Sequence, residues 1–337
     1  VTALVTGAAG FLGSHVTDLL LEGGERPRVL VRPGESIGTL ADLDVDVHWG
    51  DIGDKAALEA ALWGVDRVLH CAARTGPWGP AAEYEKTNVR GLETLVRASM
   101  AAGVHRLVHV SSITVHGNDV RGAADEAAPL REEPNPYSRS KVAGERLLER
   151  MIQDEGAPVT IVRPGWIYGP RDTASFARLA RTIEKAQMVM VGAGENHLPL
   201  IYVRDAAHGV LLASEAGQAV GRSYLLVNDE SVTQREFIGA IAAQLGAPPA
   251  TKHLPYKLGL TLGGAAENVC RLTRRRQPPP VTRYGIQLLG GENRFNITRA
   301  RQELGFAPQV DLAEGVRSSI EWYRATTGVG ETVKVPV

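Results

Sequence analysis

The sequence predicts an α/β fold, a doubly wound parallel sheet covered by helices on both faces. Short β-branched apolar runs recur through the first half of the 337-residue chain, helical stretches separate them, and a glycine-rich turn joins the first run to the first helix. Strands separated by helices of this length pair in parallel, and right-handed crossovers leave a crevice at the carboxyl ends of the strands.

The first strand is expected at Ala3-Leu4-Val5, and Phe11 to Leu21 follows with helical apolar spacing. Arg28 to Val31 reads as a second strand and Val45 to His48 as a third, followed by a helix from Asp54 to Leu62. Arg67 to His70 is the fourth strand, Ala81 to Ala102 a long helix, and Arg106 to Val110 the fifth strand. Pro134 and Pro136 fit the start of a helix running from Tyr137 to Asp154, and Val159 to Val162 is a sixth strand. The second half is less regular. Thr173 to Ala186 reads as helix, Leu200 to Val203 and Tyr224 to Val227 as strands around a helix from Asp205 to Ala216. Thr233 to Leu245 and Asp311 to Ala325 are further helices.

A length of 337 residues allows a well-buried core and about two domains. The formal charge of −1 points to no nucleic-acid partner. Cys71 and Cys270 stand far apart and the nine His residues show no ligand spacing, so no metal is expected and a reducing compartment fits. No apolar stretch approaches the roughly 20 residues that span a bilayer, and no leader-like segment is read at Val1. A cytoplasmic protein is expected, with a few residues before Val1 because no methionine opens the chain. Arg274-Arg275-Arg276 followed by Pro278 to Pro280 reads as a solvated helix end stopped by proline. Its functional alternative is a basic rim at a substrate mouth or membrane surface.

The glycines suggest a dinucleotide site. Gly7 allows a tight turn after the strand, Gly10 lets backbone approach a pyrophosphate, and Gly13 lets the helix pack close to the sheet. Arg32 stands at the end of the second strand, where an acidic residue would take the ribose hydroxyls. Its cation favours a 2′-phosphate, so NADP is preferred and NAD kept open. Asp51 after Trp49-Gly50 can meet the adenine edge or cap its own loop.

Tyr137 and Lys141 are four residues apart on one helical face. A phenol ionises near pH ~10, and an adjacent ammonium is expected to lower that value. Ser112 ends the fifth strand, where its hydroxyl can hold a substrate oxygen, and Asn88 at the head of a long helix can order water or backbone.

These segments, with Gly50-Asp51-Ile52, His70-Cys71-Ala72-Ala73, Thr87 to Gly91, Arg163-Pro164-Gly165-Trp166-Ile167-Tyr168-Gly169-Pro170 and Tyr202 to Asp205, resemble an extended short-chain dehydrogenase/reductase of the NAD-dependent epimerase/dehydratase superfamily. The resemblance runs from Val1 to about Tyr323. It implies a dinucleotide-binding Rossmann domain over 1–170 plus about 199–230, and a smaller, mostly helical substrate domain over about 171–198 plus 231–337. It implies Tyr137 as acid/base, Lys141 as its partner, Ser112 as the substrate-oxygen donor and Asn88 in support. The cofactor contacts it implies are Gly7, Gly10, Phe11, Leu12, Gly13, Arg32, Asp51, Ile52, Ala72, Ala73, Arg74, Ser111, Tyr137, Lys141, Pro164 and Ile167. A homodimer through the helices 81–102 and 137–154 follows by the same analogy.

Within the family the Ile113-Thr114-Val115 that follows Ser112 lacks the carboxylate pair of a dehydratase. The segment Asn196-His197-Leu198-Pro199 is more similar to 3β-hydroxysteroid dehydrogenase and dihydroflavonol-reductase-like members than to sugar-nucleotide enzymes. The expected reaction is therefore NAD(P)-dependent interconversion of a secondary alcohol and a ketone on a moderately apolar small molecule. Substrate contacts are expected from Trp78, Ser112, His116 and Trp166, and the apolar run Leu254 to Leu262 as a pocket wall or a buried core helix. A nucleotide-sugar epimerase is the alternative, with Arg178, Arg181, Arg283 and Arg294 as possible diphosphate ligands, and a non-catalytic dinucleotide sensor is the third reading.

Overall fold

Seven of the short apolar runs join one parallel sheet in a computed structural model that describes residues 1–120, 122–273, 275 and 277–327. Strand β1 (Ala3–Thr6) runs into helix α1 (Phe11–Glu22), followed by β2 (Arg28–Val31), β3 (Asp46–Trp49), α2 (Lys55–Leu62) and β4 (Arg67–His70). Then come α3 (Ala81–Glu85), α4 (Leu92–Ala101), β5 (Arg106–Val110), the short β6 (Ala123–Ala124), α5 (Pro136–Glu155) and β7 (Val159–Pro164). The second half contains β8 (Trp166–Tyr168), α6 (Phe176–Glu184), β9 (Val189–Val191), β10 (Leu200–Tyr202), α7 (Val203–Glu215), β11 (Ser223–Leu226) and α8 (Gln234–Leu245). It closes with β12 (Lys252–Leu254), α9 (Tyr256–Leu272), α10 (Arg283–Gly290), β13 (Arg294–Phe295), α11 (Thr298–Leu304) and α12 (Leu312–Thr327).

The sheet order is β11-β7-β5-β4-β1-β2-β3. Chain direction across the sheet reverses between β1 and β4, the place where a parallel sheet opens a crevice. Alternation assigns the faces: Val5, Leu69 and Val108 bury against α1 and α7, Leu4, Val68 and Leu107 against α2, α4 and α5. Each such side chain, fully buried, contributes about 1.5–3 kcal/mol. A separate apolar cluster in the second half joins Phe176, Ile183, Met190, Phe237, Ile241 and Ile320 from α6, β9, α8 and α12.

Local signals fix several ends. Asp54 accepts from the Ala56 and Ala57 amides at the start of α2. Asn135 accepts from Ser138 N at 2.8 Å and Pro136 opens α5, which stops at Gly156 with φ +66°. Thr233 and Glu236 cap α8 reciprocally.

Two expectations are corrected. The helix expected over 81–102 is broken: α3 gives way to a π-helical turn over Lys86–Gly91 before α4 begins. The run Leu254 to Leu262 is neither pocket wall nor core helix, because Leu258 and Leu262 of α9 face outward while Gly259 and Gly263 face in. Arg274 and Arg276 lie outside the described residues. Among the described residues no helix is long and apolar enough to cross a membrane.

Candidate active site

The turn after β1 is pressed against the end of β4. Gly7 has φ +71°, and a Cβ there would lie 2.7 Å from Ala72 N. A Cβ on Gly13 would fall 2.1 Å from Gly7 O, so the first turn of α1 sits directly on the glycine loop. Gly10 differs, because its φ is −85° and a Cβ would meet only Gly7 O, at 3.1 Å. Packing does not demand a glycine there; an open approach to the turn does. The first turn of α1 has no acidic residue and no side-chain cap, so the leading amides of Phe11, Leu12 and Gly13 remain free for an anion. This cradle fits a dinucleotide pyrophosphate.

Arg32 follows β2 as an exposed side chain, its Nη2 3.2 Å from Glu35 Oε1. Asp51 follows β3 and accepts from Gly53 N at 2.9 Å. Ile52 is buried under α2 and α4 rather than open to solvent. Ala72, Ala73 and Arg74 continue from β4 across the mouth of the crevice. Asn88 holds this segment: its Oδ1 accepts from Arg74 N at 2.8 Å, and its Nδ2 donates to Arg74 O and to Ser140 Oγ, both at 2.9 Å. Asn88 lies inside the π-helical turn and not at a helix head, which is a second correction at this residue. Ser140 Oγ donates in turn to Tyr137 O at 2.8 Å, so Asn88 ties the β4 loop to the first turn of α5.

That first turn brings Ser112, Tyr137 and Lys141 together. The Ser112 hydroxyl hydrogen-bonds the Tyr137 phenol, and Tyr84 lies close enough to interact with the same group. Lys141 is 3 % exposed and its Nζ donates to Val110 O at 2.7 Å. Burial lowers the Lys141 ammonium to about 8, with Glu145 opposing the shift. Behind it the His70 and His109 rings meet at a tilt of 34° with centroids 5.2 Å apart, and burial brings His70 down to about 3. The expected depression of the phenol by Lys141 is overturned: burial raises Tyr137 above its ordinary value, and the Ser112 hydrogen bond only partly offsets this. The Lys141 ammonium is engaged by the Val110 carbonyl, one helical turn from the phenol. Tyr137 therefore carries its proton at neutral pH, the state a proton donor needs.

Ser111 and His116 are turned elsewhere. The Ser111 hydroxyl donates to Glu145, whose buried carboxylate accepts from Arg163 Nη2 at 2.6 Å. Arg163 Nη1 donates to His116 Nε2 at 3.2 Å and to Glu126 O at 3.1 Å, and Glu126 accepts from Leu225 N. His116 is buried in this network, lowered to about 4 by burial and by Arg163, so the expected substrate contact is replaced by a structural one. Trp166 packs edge-on against Phe237 with centroids 5.8 Å apart, and Trp78 lies beneath Arg271. Pro164 ends β7 and Ile167 lies in β8 beside the sheet. Sequence reasoning missed Tyr284 on α10, a phenol raised by burial and, to a lesser degree, by the nearby Tyr137, and Tyr84, whose hydroxyl donates to Gly76 O at 2.7 Å. Neither sits in a spaced motif, so no sequence signal pointed to them. Among the described residues no group of three His, Cys, Asp or Glu side chains could hold a metal ion.

The NAD dependent epimerase/dehydratase family, as a sequence model, matches residues 3–226. A 2-alkyl-3-oxoalkanoate reductase of Stenotrophomonas maltophilia is 32% identical over 323 residues, 93% of this chain and 97% of that protein. A 4-hydroxy-2-methyl-3-oxo-4-farnesyl-3,4-dihydroquinoline-1-oxide ketoreductase of Stigmatella aurantiaca is 29% identical over 315 residues, 93% of each chain. Among solved structures, a dTDP-glucose 4,6-dehydratase of Streptomyces venezuelae with NAD bound superposes with a TM-score of 0.79 at 27% identity, over 97% of this chain and 98% of that one.

Proposed function

This chain belongs to the NAD-dependent epimerase/dehydratase family, and from that premise we propose that it reduces a ketone on a moderately apolar, lipid-like or natural-product substrate to the secondary alcohol, and runs the reverse reaction. The observation that carries the proposal is the half-buried Tyr137 hydrogen-bonded to Ser112 one helical turn before the buried Lys141. The bound dinucleotide supplies the hydride in this chemistry. The phenol of Tyr137 gives its proton to the carbonyl oxygen, and the Ser112 hydroxyl holds that oxygen in place. Lys141, cationic below about 8, stabilises the phenolate left behind.

Two relatives named for ketone reduction, one on an alkyl-bearing and one on a farnesyl-bearing compound, support an apolar substrate. The epimerase alternative needs a cationic grip on a diphosphate. Arg294 is held by Glu292 at 2.7 Å and by His197, and Arg178, Arg181 and Arg283 are exposed, which supports the reductase reading. Arg32, a cation where an acidic residue would take the ribose hydroxyls, supports NADP over NAD, with a 2′-phosphate displacing Glu35 from its guanidinium. The domain division at 1–170 plus 199–230, a cytoplasmic location and a homodimer through α4 and α5 are carried in the same proposal. The test is loss of reduced-nicotinamide absorbance with a panel of alkyl 3-oxo compounds and steroid ketones. Tyr137→Phe should lower kcat at least about 100-fold while reduced cofactor still binds. Unchanged turnover in that variant would remove Tyr137 from the chemistry.

A further inference from the structure

Helix α9 is amphipathic in the inverted sense. Its inward face is Gly259, Gly263, Glu267 and Cys270, and a Cβ on Gly263 would lie 2.9 Å from Arg283 N, so α9 and α10 meet backbone to backbone. Its outward face carries Leu258 and Leu262, each 49 % exposed, Val269 at 59 % and Leu272 at 84 %, with the exposed Ala265 between them. Steps of four and three residues put these five on one stripe about 21 Å long. Single exposed leucines are ordinary on a protein surface, whereas a continuous stripe marks a contact.

The charge around the stripe selects its partner. Among the described residues from 252 to 283, Lys252, Lys257, Arg271, Arg275 and Arg283 are all exposed cations. The single carboxylate, Glu267, is buried, accepts from Arg283 N at 2.8 Å and pairs with Arg271 at 3.5 Å, which leaves a net excess of cations along this face. Lys257 stands beside one end of the stripe and Arg271 beside the other. A two-fold contact with a second copy would therefore set cation against cation. An anionic lipid surface satisfies both the leucines and the cations.

We propose that the α9 stripe docks this protein on an anionic phospholipid surface, with Leu258, Leu262, Val269 and Leu272 at the acyl boundary and Lys257, Arg271 and Arg275 at the headgroups. The docked edge reaches the active site through short links. The Arg271 guanidinium lies 5.7 Å over the Trp78 ring, Trp78 Nε1 donates to Arg275 O at 3.4 Å, and Trp78 O accepts from the Tyr84 hydroxyl at 3.0 Å, beside Tyr137.

The experiment is flotation of the full chain with phosphatidylcholine vesicles, with and without about a third of phosphatidylglycerol. No substrate is present, so its outcome is separate from the ketone assignment. The wild type should float with the anionic vesicles only. Arg271→Gln with Arg275→Gln should lower partitioning about 25-fold, fivefold for each charge removed. Leu262→Asp with Val269→Asp should abolish flotation while leaving the circular dichroism and the mass in light scattering unchanged. The proposal is overturned if the wild type stays in solution, or if the arginine pair variant, whose substitutions are on the surface, floats as the wild type does. It is equally overturned if the aspartate pair halves the mass, since the stripe is then a subunit interface.

Discussion

Replacing Gly10 and Gly13 separately by alanine divides cofactor binding from folding. At Gly13 the new methyl would start 2.1 Å from Gly7 O and 2.7 Å from Gly7 C, both backbone atoms of a turn already pressed on β4. The helix or the turn must move, and overpacking of this kind costs about 1–3 kcal/mol or more. For a chain of this size that is a fall of roughly 1–2 °C in melting temperature per kcal/mol. At Gly10 the methyl meets only Gly7 O at 3.1 Å, and φ of −85° suits any residue. The folded protein should lose no more than about 1 kcal/mol, the difference between glycine and alanine at a helix N-cap. The same methyl projects into the space a pyrophosphate must enter, so dinucleotide affinity should fall about 10- to 100-fold, the equivalent of ~1.4–2.8 kcal/mol of clash. Fluorescence titration with reduced nicotinamide dinucleotide and a thermal melt on each variant read the two effects independently. A Gly10→Ala protein that binds cofactor like the wild type would refute the placement of the pyrophosphate on this turn. A Gly13→Ala protein that melts with the wild type would refute the packing argument.

Lys141, lowered to about 8, is cationic below that pH and neutral above it. Because Tyr137 ionises above its ordinary value, kcat/KM for the dinucleotide should fall about tenfold per pH unit beyond pH 8 through Lys141, and a profile flat to pH 10 would contradict this. Asn88→Ala removes three hydrogen bonds and leaves Arg74 N and Arg74 O without their partner, for a loss of roughly 2–4 kcal/mol in urea unfolding. A loss below about 0.5 kcal/mol would mean the bridge is not holding the β4 loop. Arg32→Gln should weaken NADPH binding about 10- to 100-fold and leave NADH within about twofold, measured by titration with each. Equal effects on both would sink the 2′-phosphate assignment.

The sheet was legible because its strands are short β-branched runs closed by glycine or polar residues, as at Ala3 to Val5 and Arg106 to Val110, and because Tyr137 and Lys141 carry helical spacing. The π-helical turn at Lys86–Gly91 was not legible, since Lys, Thr, Asn and Val suit either helix type and only the backbone bonding reveals the wider turn. His116 and Ser111 read as site residues by position along the chain. Their side chains answer to Arg163 and Glu145, which are 47 and 34 residues away and invisible to local pattern. α9 was misread because its leucines suggested burial, whereas its inward face is formed by glycines that no hydrophobic periodicity marks. The short β8, β9, β12 and β13 are two or three residues each, below the length at which alternation can be seen.

Among the described residues, the hydrogen bonds and ion pairs that α5 side chains make outside the helix end on residues up to Arg163: Asn88, Arg97, Val110, Ser111, Ser112, Thr114, Glu132, Glu133 and Arg163 itself. None reaches α9 or α10. Helix α5 is thus anchored by one half of the chain, while α9 and α10 belong to the other. Exchanging the described residues of α9 and α10 for those of another chain would therefore cut none of the polar bonds described for the helix that carries Tyr137.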